Sequence, residues 1–238
     1  MIRSASGLIV PAPPSSYAAA VLADSPMLYW RLGDSSGPVA DSGSGSHAGT
    51  LGSGATLGAA GLLVGDSNTA LAMDGTANAY LSTPHAADLN PTTSWAVELW
   101  WAGTSMGGVY SKLAWKPTNA TAGQATYLLQ GSSSGTVQLR TTIGGTNYTT
   151  AASAALTDGN PHHIVGERNG TALNLYIDGA ISQTLTIPAA ASDAAANDLI
   201  CGYSGSNNDL LNGVQDEVAL YGAALGATRV AVHHNAGI

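Results

Sequence analysis

The sequence predicts an all-β fold in which two antiparallel sheets pack as a jelly-roll sandwich, with one short C-terminal helix. Three observations predict it. Short apolar runs alternate with polar residues, clusters of Gly, Asn, Asp and Ser separate those runs at sandwich-like intervals, and helical periodicity is confined to one stretch near the end. A chain of 238 residues suffices for one well-cored domain.

Taken in order, residues 1–16 contain Pro11, Pro13 and Pro14 and read as an extended arm that cannot enter a sheet interior; the alternative is an unstructured start. Residues 17–238 form the domain. Its expected strands are 27–32, 70–73, 78–82, 94–101, 107–112, 125–130, 136–142, 162–168, a hairpin over 171–187, 197–203 and 213–221. In SWAVELWW (94–101), Trp95, Val97, Leu99 and Trp101 share one face while Ala96, Glu98 and Trp100 share the other. Tryptophan on both faces is the mark of a central strand. The hairpin alternates Leu173, Leu175 and Ile177 with Asn174 and Tyr176, and Asp178-Gly179 supplies its turn. GATRVAVHHNAG (226–237) is the helix, closed by Asn235 or Gly237.

Only 9% of residues are charged and the net charge is -8, so no basic stripe exists to displace counterions from a nucleic acid. Cys201, the one cysteine, lies in apolar LICGY and reads as a small core residue. The N-terminus has too short an apolar run for a secretory signal, and no stretch approaches the ~18 to 20 residues that span a bilayer, so a soluble protein is expected.

Several stretches in order resemble bacterial and phage laminin-G-like, concanavalin A-like domains. They are YWRLGDSSGPVADSGSGSHAGTL (29–51), LAMDGTANAYLSTP (71–84), WAVELWW (95–101), HHIVGERNGTALNLYIDG (162–179) and GVQDEVALYGAALGATRVAVHH (213–234). Met73 stands where the family usually has Phe, His162 replaces a usual Trp, and Gly43-Ser44 inverts a usual Ser-Gly. The resemblance implies the sandwich fold, a lectin-like role, and a calcium site of the kind common in that superfamily. Candidate calcium ligands are Asp34, Asp41, Asp74 and Asp216, since hard cations take carboxylate and carbonyl oxygens.

Glucanases share this architecture, and retaining hydrolysis needs two carboxyls about 5 to 5.5 Å apart. The chain has three glutamates, at 98, 167 and 217, and no strand with an alternating acidic set. In GVQDEVALY (213–221), alternation puts Asp216 with Val214, Val218 and Leu220 on the apolar face, and Glu217 with Gln215, Ala219 and Tyr221 on the other. The pair therefore cannot flank one bond, and Asp216 reads as a buried carboxylate, either hydrogen-bonded or holding calcium. No Gly-x-Ser-x-Gly elbow precedes a helix. Adjacent histidines at 162–163 and 233–234 point apart on a strand or helix, so in each pair one ring is expected to pack and one to reach the surface.

Sugar recognition uses exposed aromatics beside amides. Trp115 and Lys116 fall with Asn119 in a polar loop, and Tyr148 lies beside Asn147, which makes these four the candidate ligand contacts; Trp30, Trp95 and Trp101 read as core. The expectation is a non-enzymatic lectin-like module on a virion surface, in the capsid or tail, binding host-envelope glycan and docked on other virion proteins through residues 1–16. A purely structural decoration subunit is the alternative, and a glycoside hydrolase stands third.

Overall fold

The computed structural model describes residues 16–119, 123–202 and 210–238, so the expected arm lies outside the described residues apart from Ser16. Strands are numbered along the chain. The first sheet runs, in spatial order, β13 (Ala180–Thr186), β12 (Ala172–Ile177), β11 (His162–Asn169), β6 (Ser94–Ala102), β15 (Asn212–Tyr221), β4 (Ala70–Asp74) and β3 (Ala55–Ala59), with β1 (Leu28–Trp30) also paired to β15. The second runs β10 (Thr146–Thr149), β9 (Val137–Ile143), β8 (Gln124–Gly131), β7 (Lys112–Asn119), β14 (Leu199–Gly202), β5 (Tyr80–Thr83) and β2 (Thr50–Leu51). Every pairing is antiparallel. This is the expected sandwich.

Its core lies between the sheets. Trp95, Val97, Leu99 and Trp101 of β6 face it together with Trp30, Met73, Leu113, Tyr127, Leu139, Leu173, Leu175 and Cys201, as alternation requires. The other face of β6, with Ala96 and Trp100, belongs to a second apolar cluster that includes Tyr17, Val21, Tyr29, Leu63 and Tyr221. The hairpin turn falls as read, with Asp178 and Gly179 both left-handed at φ 51° and 76°, which suits a two-residue connection.

Two helices cover the outer side of the first sheet. The expected one is α2 (Gly226–Gly237), which buries Val230, His233 and Gly237. The other, α1 (Tyr17–Ala23), corrects the reading that only one helix exists. The signal for it was local: Ser16 accepts the Ala19 N–H at 3.3 Å as N-cap, before a run of good helix formers, YAAAVLA.

A second correction concerns residues 107–112. Residues 107–111 form a loop, in which Ser111 Oγ bridges the carbonyls of Met106, Gly108 and Leu210 at 2.7, 3.1 and 2.7 Å. The strand begins at Lys112 and continues through Pro117, so the expected polar loop around Trp115 is strand; β-bulges at Lys116/Pro117 and Pro117/Asn119 accommodate the missing donor. The short strands β2, β3 and β10 carry too little alternation to stand out in the sequence.

The third correction is at β15. Asn212–Gln215 pairs with β4, whereas Val218–Leu220 pairs with β1, so the strand exchanges neighbours across Asp216-Glu217. Against β6 the register jumps from Asp216↔Trp100 to Ala219↔Glu98, leaving Glu217 and Val218 opposite the single residue Leu99. Glu217 is left-handed, with φ 53°. This bulge resets the alternation. Gln215 points inward to the Leu113 carbonyl, 2.9 Å away, Val218 and Leu220 also point inward, and both acids point outward. The two carboxylates do not lie on opposite faces.

Candidate functional site

The first sheet's outer face gathers all three glutamates of the chain, together with Asp216, His163 and His233. Glu98, Glu167 and Glu217 are all the glutamates of the sequence, and they are 0%, 1% and 0% exposed. Each fastens a covering element. Glu98 Oε1 accepts from the Tyr221 hydroxyl at 2.6 Å and the Tyr17 hydroxyl of α1 at 3.2 Å, while Oε2 lies 3.0 Å from His233 Nδ1 of α2 and 3.5 Å from His163 Nε2. His233 Nε2 in turn lies 2.8 Å from Asp24, which also accepts Arg229 Nε at 2.8 Å. Glu167 accepts the Gly226 N–H at 2.6 Å, capping the start of α2 with a negative charge where the helix dipole favours one. Glu217 accepts from the Tyr29 hydroxyl and from Arg31 Nε and Nη2 at 3.2 and 3.1 Å.

Burial alone would raise the Glu98 carboxyl, but hydrogen bonds from His163 and His233 outweigh it and hold that group far below the carboxylate range. Burial lowers His233, and its bonds to Glu98 and Asp24 more than reverse this, leaving its pKa raised. Asp216 has no cation of its own. Its Oδ2 accepts the Leu62 N–H at 3.0 Å, its Oδ1 has no partner, and burial pushes its pKa up to about 8. It lies on the outer face and not among Val218 and Leu220, with one oxygen hydrogen-bonded.

The histidine pairs divide as read. His163 and His233 are buried, whereas His162 bridges Asp178 and Asp158 at 2.9 and 3.1 Å near the surface and His234 is half-buried against Trp100.

The four calcium candidates do not converge. Asp41 accepts the N–H groups of Tyr29, Gly43 and His47 at 2.7, 2.7 and 2.6 Å. Asp34 accepts that of Ala40 at 3.1 Å and Asp74 that of Thr76 at 2.9 Å, both organising turns. Among the described residues no three His, Cys, Asp or Glu side chains come together as a metal site. A calcium ion takes 6–8 oxygens, and these four carboxylates stand in separate places and do not make one centre.

The four ligand candidates are also redistributed. Trp115 lies inside β7, not in a loop, and is 3% exposed, packed with Ala125, Leu128 and Ile200. Lys116 is 0% exposed; its Nζ donates to the Asn197 carbonyl at 2.5 Å and lies 3.2 Å from His85 Nδ1, and burial pushes its pKa down to about 8. Tyr148 of β10 is half-buried against the main core. The Asn119 side chain lies outside the described residues.

What the second sheet offers instead emerges from register. Cross-strand partners share a face, so Tyr80, Gly202, Lys112, Gln130 and Gln138 form one row across β5, β14, β7, β8 and β9. Ser82, Ile200, Trp115, Leu128, Arg140 and Thr149 form the next. The Trp115 cluster is separate from the inter-sheet core, which places both rows on the outer face. Gly202 has φ 98°, and a Cβ there would come within 2.2 Å of the Ala79 carbonyl, so only glycine fits at that point of the row. Lys112 Nζ lies 5.8 Å from the Tyr110 ring centre and 5.5 Å from that of Trp115, within cation–π range. Tyr110, 49% exposed, and Val109, 47%, stand at the rim. An exposed ring beside amides and cations is a surface that can stack on and hydrogen-bond to a polyol. Sequence reading missed Tyr110 because it assigned 107–112 to a strand; the Met-Gly-Gly-Val-Tyr-Ser run was the available loop signal.

Comparison with known proteins places this geometry. Among curated proteins none matches the sequence significantly. The binding domain of Paraclostridial Mosquitocidal Protein 1 superposes with a TM-score of 0.71 at 14% identity, over 90% of this chain and 52% of that one. The Botulinum Neurotoxin serotype G binding domain gives 0.64 at 10% identity, over 88% and 50%. The chain thus spans about half the length of these toxin domains. Domain 4 of AbnA, an extracellular arabinanase of Geobacillus stearothermophilus solved in complex with arabinotriose, gives 0.62 at 15% identity, over 88% of this chain and 98% of that one. These likenesses carry the fold. A family profile covers residues 74–231, from β4 into α2, and on that match the chain belongs to the Concanavalin A-like lectin/glucanases superfamily, as a laminin-G-type member.

Proposed function

We propose that the chain is a non-catalytic, lectin-like module that binds host-envelope carbohydrate from a virion surface and is docked on the particle through residues 1–16. The observation that carries the binding reading is the second sheet's outer face, with half-exposed Tyr110 beside Lys112, Gln130 and Gln138. Family membership supports it, as does likeness to toxin binding domains and to an arabinotriose-bound domain. The non-catalytic part is supported by the acids. Every glutamate is buried and engaged, and two clefts of about 470 and 300 Å³ beside α1 are lined by Asp24 with Arg229 and by Arg31 with Asp66, not by Glu98, Asp216 or Glu217. The virion setting rests on the sequence resemblance to phage-borne domains, and among the described residues no helix is long and apolar enough to cross a membrane.

A glycan array of bacterial envelope polysaccharides tests the binding reading. Binding that Tyr110→Ala abolishes and a calcium chelator leaves unchanged supports it, and silence across the array overturns it. Loss of residues 2–16 should leave a folded domain that no longer joins the particle; normal incorporation would refute the docking role. One observation favours a second reading, a structural decoration subunit that binds no glycan: at the centre of the face Lys112, Gln130 and Trp115 are only 4%, 5% and 3% exposed.

A further inference from the structure

Resting on the reading of residues 1–16 as a docking arm, we infer that the arm seats its Leu8-Ile9-Val10 run in the cleft at the foot of α1 on a second copy of this chain, so that copies are joined arm to cleft. Two observations on the domain carry it. The cleft of about 300 Å³, lined by Ser16, Tyr17, Leu63, Val64, Asp66 and Ala236, opens where the arm joins α1. At its rim Val64 is 73% exposed, and Ile238 is 62% exposed, which makes them the two most exposed large apolar side chains among the described residues. They are neighbours, because the Val64 N–H donates to the Gly237 carbonyl at 2.9 Å. Adjoining bare aliphatics at the mouth of a cleft mark a surface that a partner covers.

The arm supplies the matching chemistry. Leu8-Ile9-Val10 is its one run of consecutive large apolar residues, and burying such side chains drives association. Residues 1–15 hold Arg3 and no aspartate or glutamate, whereas all 15 acids of a chain at -8 lie in the domain. Two such domains repel one another, so the acid-free arm is the segment fitted to approach an acidic neighbour. Its spacing selects a second copy over the arm's own cleft. Ser16 is part of the cleft wall, and Pro11, Pro13 and Pro14 fix φ and favour an extended course, which at about 3.1 Å per residue sets Val10 about 19 Å from Ser16. To return to its own cleft the chain would have to reverse within those prolines. The cleft belongs to the outer side of the first sheet, beside α1, so joined copies leave the outer face of the second sheet open to a ligand.

Sedimentation velocity of the whole chain across a concentration series tests the inference. The natural chain should associate beyond a single copy. Leu8→Ser with Ile9→Ser in the arm should weaken that association about a hundredfold, and Val64→Lys at the rim about tenfold, each with the urea midpoint unchanged. Mixing the two variants should restore association, since one keeps its cleft and the other its arm. Single copies at every concentration overturn the inference, whether or not the arm then resists protease in its own cleft, and so does association that both variants leave intact or that mixing fails to restore. The docking reading fails separately. If particles need residues 2–16 while the purified chain stays single, docking stands and its partner is another virion protein; if copies join but particles take up the truncated chain normally, docking falls alone.

Discussion

On the outer face of the first sheet all three glutamates of the chain are buried under helices or loops. On the outer face of the second the charged groups of the two rows are Lys112 and Arg140, and both helices lie elsewhere. The contrast separates two uses of charge. A buried carboxylate is tolerated only when its lone pairs are filled, so Glu98, with two tyrosines and two histidines around it, doubles as the point where α1, α2, β6 and β15 are joined. On the second face, Lys112 lies near the rings of Tyr110 and Trp115, and Arg140 donates to the neutral oxygens of Thr149 and Gly123. Substitutions on the first face should therefore appear in stability and those on the second in binding.

The largest effect that would break this division is at Glu98. Glu98→Ala leaves His233 and two tyrosine hydroxyls buried without their acceptor and should cost about 3–5 kcal/mol in urea unfolding. A loss below about 1 kcal/mol would mean the network is ornamental to the fold.

Asp216 sharpens the comparison through pH. Its folded pKa of about 8 lies above the unfolded aspartate value near 4, so the protonated form's contribution is complete below pH ~4 and drains away as pH rises to 8. Asp216→Asn, neutral throughout, should be more stable than the natural chain at pH 9 by about 2 kcal/mol and no more stable at pH 4. Urea midpoints read at both values decide it; a constant difference would mean the carboxyl stays charged when folded.

The smallest expected effect lies on the other face. Tyr110→Ala removes a half-exposed side chain and should shift stability by no more than about 0.5 kcal/mol while removing glycan binding. A large shift in Tm would make Tyr110 part of the fold instead.

The sandwich was legible because its long strands obey alternation: Trp95, Val97, Leu99 and Trp101 announce an inward face without any tertiary information. What escaped was decided by backbone details that periodicity cannot express. Trp115 looked like a loop residue because its neighbours Lys116 and Asn119 are polar, and two bulges keep the chain in the strand through Pro117. Asp216 and Glu217 looked divided because strict alternation was assumed, and one left-handed residue unites them. Helix α1 was visible in its Ser16 cap and alanines but sat beside a proline-rich start that drew the eye. The binding face is legible only from register, since Tyr80, Lys112, Gln130 and Gln138 come from four strands.

The bulge in β15 bears on how such a chain changes length. Glu217 and Val218 face Leu99 together, so removing Glu217 alone would set Val218 opposite Leu99 and restore an uninterrupted strand, with every other residue still facing as it does now. Glu217 is in effect a supernumerary residue: a lineage could gain or lose it in one codon, gaining or losing the Tyr29 and Arg31 attachments, without disturbing the layers on either side.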